Sequence, residues 1–436
     1  MNRTLISNLG SHINEEVRIL GWVNNIRNQK KMQFVIIRDQ TGIIQAINEK
    51  TNSVEISNKI DHLTLESAVE IIGKVVSNNI AKNGFEIVIE KLIVLNLALS
   101  PLPINTDTLQ EELRADWRFL YLRLNPQGLL IFQIQTAIEH AMRLFWYENH
   151  FVELHSPKLM GSPSESGAEL FKVDYFNKQA YLAQSPQFYK QMAMAAGFDR
   201  IFEIGPVFRA NPSFTSRHDT EFISVDCEIS WIESHYDVME WEEKWLEYVF
   251  NYIKDNFGDK IKKIFGAEVV VPTRPFPKIS MKDAYQILEK AGHQLSRSEK
   301  GDLDPEEEKK LCEYIKKKYG HEFVFVTDYP TNVRPFYHMR DENDPTITKS
   351  FDLLWKGLEI TTGAQREHRP DILLKQIQEK GLNLEPLKYY YNCFKYGCPP
   401  HGGYGFGLTR MLMLLLGKKN VREVTFLYRG PNRLFP

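Results

Sequence analysis

The sequence is poor in cysteine, in long apolar runs and in charge of one sign. Its 436 residues include four cysteines, Cys227, Cys312, Cys393 and Cys398, none in a Cys-x-x-Cys pair. The closest spacing, Cys393 to Cys398, falls in a Tyr/Pro-rich loop without a set of histidine partners. This excludes a disulfide-stapled scaffold or a zinc ribbon and leaves the thiols as buried or inert side chains. The longest apolar run, 411–416, is far shorter than the roughly 20 residues of a spanning helix. The first residues lack the continuous apolar stretch of an export signal, so the expectation is a cytosolic protein. Basic and acidic side chains nearly cancel, 54 against 56, which excludes a uniformly basic nucleic-acid coat and leaves partners to be read from local clusters.

What remains is a globular composition, 43% hydrophobic and 12% aromatic. At roughly 150 residues per domain this length implies two or three domains. Residues 1–100 read as five short β-rich runs, around 17–23, 32–38, 43–48, 68–76 and 85–95, with a polar, helix-capable segment before the fourth. That pattern fits a small closed barrel of the OB type, whose sheet face commonly holds single-stranded nucleic acid, and equally any small barrel or sandwich. The segment is not basic, with 11 Lys/Arg against 10 Asp/Glu, but Arg27, Lys30 and Lys31 cluster just before Phe34. A basic loop beside an exposed aromatic serves phosphate contact and base stacking; a solvated hairpin with Phe34 in the core is the plainer alternative.

Ser-Pro-Leu-Pro and an acidic, arginine-rich patch mark residues 101–127 as a linker. Beyond it, 128–436 form one α+β domain. It opens with a helix over 128–147 that carries an apolar stripe from Ile131 to Phe145, followed by the extended 151–154 and Pro157. A highly charged helical stretch within 283–320 has no aromatic interleaving and reads as a solvated insertion. No internal repeat is visible.

Four polar constellations stand out, each weak alone. Arg209, Arg217 and His218 surround a loop that ends at Phe222; guanidinium forks match phosphate oxygens and the ring offers a stacking face, although ion pairs on a surface loop have the same look. In 351–363, a two-residue turn at Lys356-Gly357 places Leu354 opposite Glu359 and puts Asp352 diagonally on the same face, roughly 7–8 Å away. Two carboxylates so placed repel unless a cation lies between them, and hard oxygens beside phosphates suit Mg²⁺. Gly402, Gly403, Gly405 and Gly407 precede Arg410 and an apolar helix, so backbone can approach a ligand closely, without a Walker A or dinucleotide fingerprint. The segments 184–190 and 365–369 supply amides and cations suited to a small acid.

In this order, these stretches resemble the class II aminoacyl-tRNA synthetases of the aspartate, asparagine and lysine subgroup, most closely its aspartate-specific archaeal and eukaryotic type. The match covers nearly the whole chain: the barrel, 151–157 as first motif, the arginine loop as second, and Gly405-x-Gly407-x-x-Arg410 as third. The resemblance implies a five-stranded OB-fold barrel for the anticodon, an antiparallel catalytic sheet flanked by helices, and a homodimer built on the first motif. It implies attack of an amino-acid carboxylate on the α-phosphate of ATP, then transfer to the terminal adenosine of tRNA, a reaction catalysed chiefly by positioning and charge neutralisation.

Carried over residue by residue, Arg209 holds the α-phosphate and Arg217 with His218 the outer phosphates. Phe222 and Arg410 sandwich adenine. Asp352, Glu359 and Thr362 hold Mg²⁺. Lys190 and Arg366 pair with the side-chain carboxylate, Asp226 and Gln187 lie near the ammonium group, and Glu165 and Glu169 belong to a mobile loop. Arg27, Phe34, Gln45 and Glu86 read the anticodon, with Phe34 stacking on the central uridine. One position departs: Asn211 stands where the second motif usually has glutamate.

Two cations left uncompensated beside a neutral amide disfavour asparagine, so the sequence favours ligation of aspartate to tRNA for aspartate. An asparagine enzyme, a tRNA-binding paralogue without catalysis and a ligase for a free metabolite are the competing readings. The Arg209, Asp352, Glu359 and Arg410 set argues against the second, and the barrel against the third. Whether tRNA for asparagine is also charged turns on the third anticodon base, read near 24–31 and 78–82.

Overall fold

Alternating burial builds the amino-terminal unit, Met1–Gln110, into a closed barrel. Its strands are β1 (Glu16–Asn28), β2 (Met32–Arg38), β3 (Ile43–Glu49), β4 (Ala68–Ser77) and β5 (Phe85–Asn96), in the order β1-β2-β3-β5-β4. Val17, Ile19, Val35, Ile37, Ile71 and Ile87 point inward at the period of two that a half-buried strand requires. The structure, a computed structural model, describes residues 1–106, 110–163, 169–212, 215–293 and 301–435. The helix Val54–Asp61 starts at Ser53, whose hydroxyl accepts from the Ile56 amide, and packs Ile56 and Ile60 against the barrel core. Arg38 donates to both oxygens of Glu66 at 2.9 Å and to Asn24 Oδ1 at 2.5 Å, a buried tie between β2 and the chain entering β4.

The second unit, Glu111–Pro436, carries the strands β6 (Val152–Glu153), β7 (Leu159–Met160), β8 (Lys172–Tyr175), β9 (Lys178–Leu182), β10 (Arg200–Phe208), β11 (Glu221–Ser230), β12 (Lys278–Ser280), β13 (Phe323–Thr327), β14 (Ser350–Trp355), β15 (Leu358–Gln365) and β16 (His401–Gly407). Eight of them form one sheet, β12-β13-β14-β15-β16-β11-β10-β6, antiparallel in its interior and parallel only at the two edge pairs. β7, β9 and β8 make a separate small sheet. The helices Pro126–Glu148 and His235–Phe265 pack together against the large sheet, with Trp146 stacked between Phe202 (4.4 Å) and Trp245 (4.9 Å).

Two sequence readings change here. Part of the stretch read as linker is helical, Glu111–Asp116 and Arg118–Leu124, and Arg118 donates to the carbonyls of Glu423, Thr425 and Phe426. The charged stretch is not a solvated insertion. Its helix Pro305–Tyr319 buries Leu311, Cys312 and Ile315 against Val324, Val326 and Leu354, and Glu307 and Glu308 are buried too. The many lysines and glutamates on its outer faces mask an apolar stripe of ordinary helical period. An Asp304–Glu307 capping box and Gly320, at φ 69°, set its ends. Residues 294–300 lie outside the described residues. All four cysteines are free thiols, and no described helix is long and apolar enough to cross a membrane.

Glu242, on the His235–Phe265 helix, is completely buried and accepts from the Thr361 hydroxyl at 2.6 Å. Burial pushes its carboxyl from 4.5 up to about 8. The native chain therefore keeps a proton that the unfolded chain releases, and this site loses stability as pH rises from the ordinary carboxyl value towards 8. Glu242→Gln should raise Tm at pH 8 and leave it nearly unchanged at pH 4, measured by thermal unfolding across that range.

Candidate active site and nucleic-acid interface

A cleft of about 750 Å³ opens over β11, β15 and β16. It gathers residues from distant parts of the chain: Glu169, Gln187 and Asp226 with Arg366 and Thr362, and Arg209, Arg217, His218, Phe222, Glu359 and Arg410. Asn211 lines it as well. Lys190 and Asp352 lie buried behind its wall, and Glu165 lies outside the described residues.

At one end, Lys190 and Arg366 converge, but neither is bare. Lys190 Nζ sits 2.9 Å from Asp226 Oδ1 and 3.3 Å from Glu228 Oε2, and donates to the Tyr404 carbonyl at 3.1 Å. Arg366 Nε donates to Glu228 Oε1 at 2.9 Å, Nη2 to the Gly403 carbonyl at 2.9 Å, and Nη1 meets His338 Nε2 at 3.0 Å. Glu228, 0% exposed, is therefore the centre of the cluster. Burial opposes its charge, but Arg366, Lys190 and His401 outweigh that and hold its carboxyl below the ordinary value. Sequence reasoning missed Glu228 because it sits inside an ordinary apolar strand; its spacing of two from Asp226 on β11 is the signal that places both on one face. The same pairing explains a glycine. Gly403 lies opposite Glu228, and a Cβ there would come within 2.0 Å of the Cys227 carbonyl and 2.3 Å of Glu228 Oε2. Its bareness makes room for a side chain of the protein itself.

At the other end, Arg209 follows β10 directly and its guanidinium lies over the Phe222 ring, 5.6 Å from the centroid. Arg217 Nη1 pairs with Glu308 Oε2 at 2.9 Å. Burial, then Arg410 and Arg217, push His218 down to about 4, so in the empty cleft it is a neutral imidazole rather than a third cation. Burial and Glu359 push the Glu308 carboxyl up to about 8 against the pull of Arg217 and Arg410.

The β14–β15 turn forms as expected, with Lys356 and Gly357 both at positive φ and Leu354 opposite Glu359. A bulge between Leu353 and Leu354 sets Asp352 opposite Thr362, whose hydroxyl donates to Glu359 Oε1 at 2.9 Å. Arg334 Nη2 holds Asp352 Oδ2 at 2.6 Å and stacks over Tyr329, supplying from the protein a cation that the two acids require. Burial pushes Asp352 up to about 6 despite Arg334, with Glu359 adding to the rise. Glu359 stays below its ordinary value because Arg410, the Thr362 hydroxyl and Arg334 outweigh its burial. Asp352 Oδ1 is buried without a hydrogen-bond partner among the described residues. The donor set at this corner is all oxygen, which fits a hard divalent cation.

On the barrel, the four sequence-selected residues form one relay. Arg27 lies over the half-buried Phe34 ring at 5.2 Å and donates to Gln45 Oε1 at 2.6 Å, and Gln45 Nε2 donates to Glu86 Oε2 at 2.7 Å. Phe34 is not among the barrel's core residues.

Comparison with known proteins agrees with both units. Residues 110–429 match the family of class II tRNA synthetases (D, K and N), and 17–95 match the OB-fold nucleic acid binding domain. The chain is 42% identical to the aspartate–tRNA(Asp) ligase of Pyrococcus abyssi over 99% of this chain and 100% of that one. It is 40% identical to the aspartate–tRNA(Asp/Asn) ligase of Aeropyrum pernix over 99% and 98%. Its fold superposes on asparaginyl-tRNA synthetase from Pyrococcus horikoshii complexed with asparaginyl-adenylate with a TM-score of 0.91, at 31% identity and full coverage of both chains.

The buried cluster makes a checkable statement about stability. Lys190→Leu leaves Glu228 paired with Arg366 but strips the buried Asp226 of its lysine, and should cost roughly 3 kcal/mol in denaturant unfolding. Adding Asp226→Asn to that variant should recover a large part of the loss.

Proposed function

Because the chain belongs to the class II tRNA synthetases of the aspartate, lysine and asparagine group and ligates aspartate to tRNA, we propose that the cleft divides into an amino-acid end at Lys190 and Arg366 and a phosphate end at Arg209 and Arg217. The observation that carries this assignment is the charge count around Glu228. Lys190 and Arg366 balance Glu228 and Asp226 in the free protein; once Asp226 pairs with the substrate ammonium group, a single positive charge is left, which matches one side-chain carboxylate. A neutral amide leaves that charge unanswered in a buried site, which rejects asparagine. Gln187 and Glu169 complete the amino-acid end.

With aspartate held there, its α-carboxylate attacks the α-phosphate of ATP in line and pyrophosphate departs. Arg209 neutralises charge on the α-phosphate as it builds, and Arg217 and Arg410 with their flanking groups orient the rest of the nucleotide. His218 enters as a neutral donor, and the arriving phosphates raise its proton affinity. Phe222 takes the adenine face now covered by Arg209. Glu359, Thr362 and Asp352, whose Oδ1 is buried without a hydrogen-bond partner among the described residues, would hold Mg²⁺, which would supply further neutralisation of the phosphates. The ribose hydroxyl of the tRNA terminus then attacks the acyl carbon and AMP leaves. The cytoplasmic pools of tRNA, aspartate and ATP are the substrates this reading assigns to the enzyme. The edge strand β6 with Val152 and the neighbouring Tyr147, 43% and 79% exposed, supports a homodimer through this face.

The tRNA range we propose includes both tRNA for aspartate and tRNA for asparagine. Their third anticodon bases, C and U, differ in a donor and an acceptor on the pairing edge. The broad range is supported by two acceptors that are already used within the barrel: Asn24 Oδ1 by Arg38 and Asn78 Oδ1 by the Ile80 amide. Radiolabelled aspartate should be charged onto each purified tRNA, with labelled asparagine on neither; charging of tRNA for aspartate alone would overturn the broad range. On the barrel, Phe34→Ala should lower kcat/KM for tRNA by roughly 5- to 100-fold, the loss of one stacked base, and leave aspartate-dependent exchange of pyrophosphate into ATP unchanged.

A further inference from the structure

The stretch that sequence reasoning set aside as solvated reaches the phosphate end of the cleft. Glu308 stands on the first turns of the helix Pro305–Tyr319, whose start is pinned by Pro305 and the Asp304–Glu307 capping box and whose apolar face is locked into the core beside β13 and β14. From there its carboxylate meets Arg217 at 2.9 Å across 91 residues of sequence, with only 8% of its side chain exposed. Arg217 is therefore paired with a desolvated acid that has Glu359 as a like-charged neighbour and Arg410 as a second cation.

We propose that Glu308 is a positioning residue that competes with the nucleotide's outer phosphates for Arg217 and so sets how tightly ATP and departing pyrophosphate are gripped. The proposal rests on the reading that Arg217 binds those phosphates. When a triphosphate draws Arg217 away, Glu308 loses its close partner, and a carboxyl already pushed up to about 8 must then either stay charged without a counter-ion or take up a proton, each at a cost in free energy. Each step towards the phosphates therefore carries a penalty, which is returned when pyrophosphate leaves and Arg217 swings back to the carboxylate. The grip is loosened by a group that touches neither substrate, and the rigid seat of the helix keeps that competitor at a constant distance.

The test compares Glu308→Gln, Arg217→Gln and the double variant in full-length enzyme, with Glu308→Met as a second neutral replacement. Readouts are the KM values for ATP and aspartate, inhibition by added pyrophosphate, and Tm. Glu308→Gln should lower the ATP KM on the order of fivefold, the size of one screened charge interaction near a surface, and strengthen pyrophosphate inhibition at least as much. The aspartate KM should stay unchanged and Tm should not fall. In the Arg217→Gln background the same replacement should change nothing further. An unchanged or raised ATP KM in both Glu308 variants overturns the proposal, as does an equal effect with Arg217 absent. Arg217→Gln leaving the ATP KM unchanged would instead remove Arg217 from the phosphate site, a distinct failure of the underlying reading.

Discussion

A carboxylate with no access to water, flanked by a lysine and an arginine from different elements, is the constraint around which the catalytic unit is arranged. Glu228 must be ionised to justify its two partners, and they must be close to justify its ionisation. That mutual requirement fixes the relative positions of the helix Gln187–Ala195, which carries Lys190, the end of β15 that leads to Arg366, and β11 with its neighbour β16. Gly403 is bare for the same reason. The cluster lies where the sheet is interior and antiparallel, so its geometry is set by strand registers rather than loops, and a substrate pocket built on it inherits that rigidity.

Along the cleft the same logic repeats with less completeness. Three cations at the phosphate end have an acid near them: Arg217 has Glu308, Arg410 has Glu359, and Arg334 has Asp352. Arginines gathered so closely repel one another, and the interleaved acids offset that repulsion. The acids differ from one another because their surroundings do. Glu359 remains readily ionised, while Glu308 and Asp352 are pushed upward by burial, so the negative charge of the empty cleft is concentrated on the residue with the most cations around it.

The barrel strands, the long stripe-bearing helix and the turn at Lys356-Gly357 were legible in the sequence because each rests on local periodicity or on the φ that a two-residue turn demands. The arginine loop and the terminal glycine segment were legible as chemistry, since planar cations and bare backbone are unusual enough to stand out. Three things were hidden. Glu228 has only its spacing of two from Asp226 as a local sign, and a satisfied core acid can share it. The helix Pro305–Tyr319 displays its charge more plainly than its narrow apolar stripe. Arg334 reaches Asp352 from a loop without regular structure, and only the tertiary fold brings them together. In each case the missing information was a long-range pairing, which composition and period do not carry.

The crowding around Gly403 has a consequence for how this chain can drift over generations. Any side chain there collides with backbone before it reaches the acid, so the position has no tolerated neighbour one mutation away. A descendant that came to prefer a neutral substrate could not begin by filling this spot; it would have to alter Glu228 or its two cations first. The route from one amino-acid preference to another is thereby narrowed to the acid and its cations, because the Cys227 carbonyl holds the glycine in place whatever becomes of Glu228.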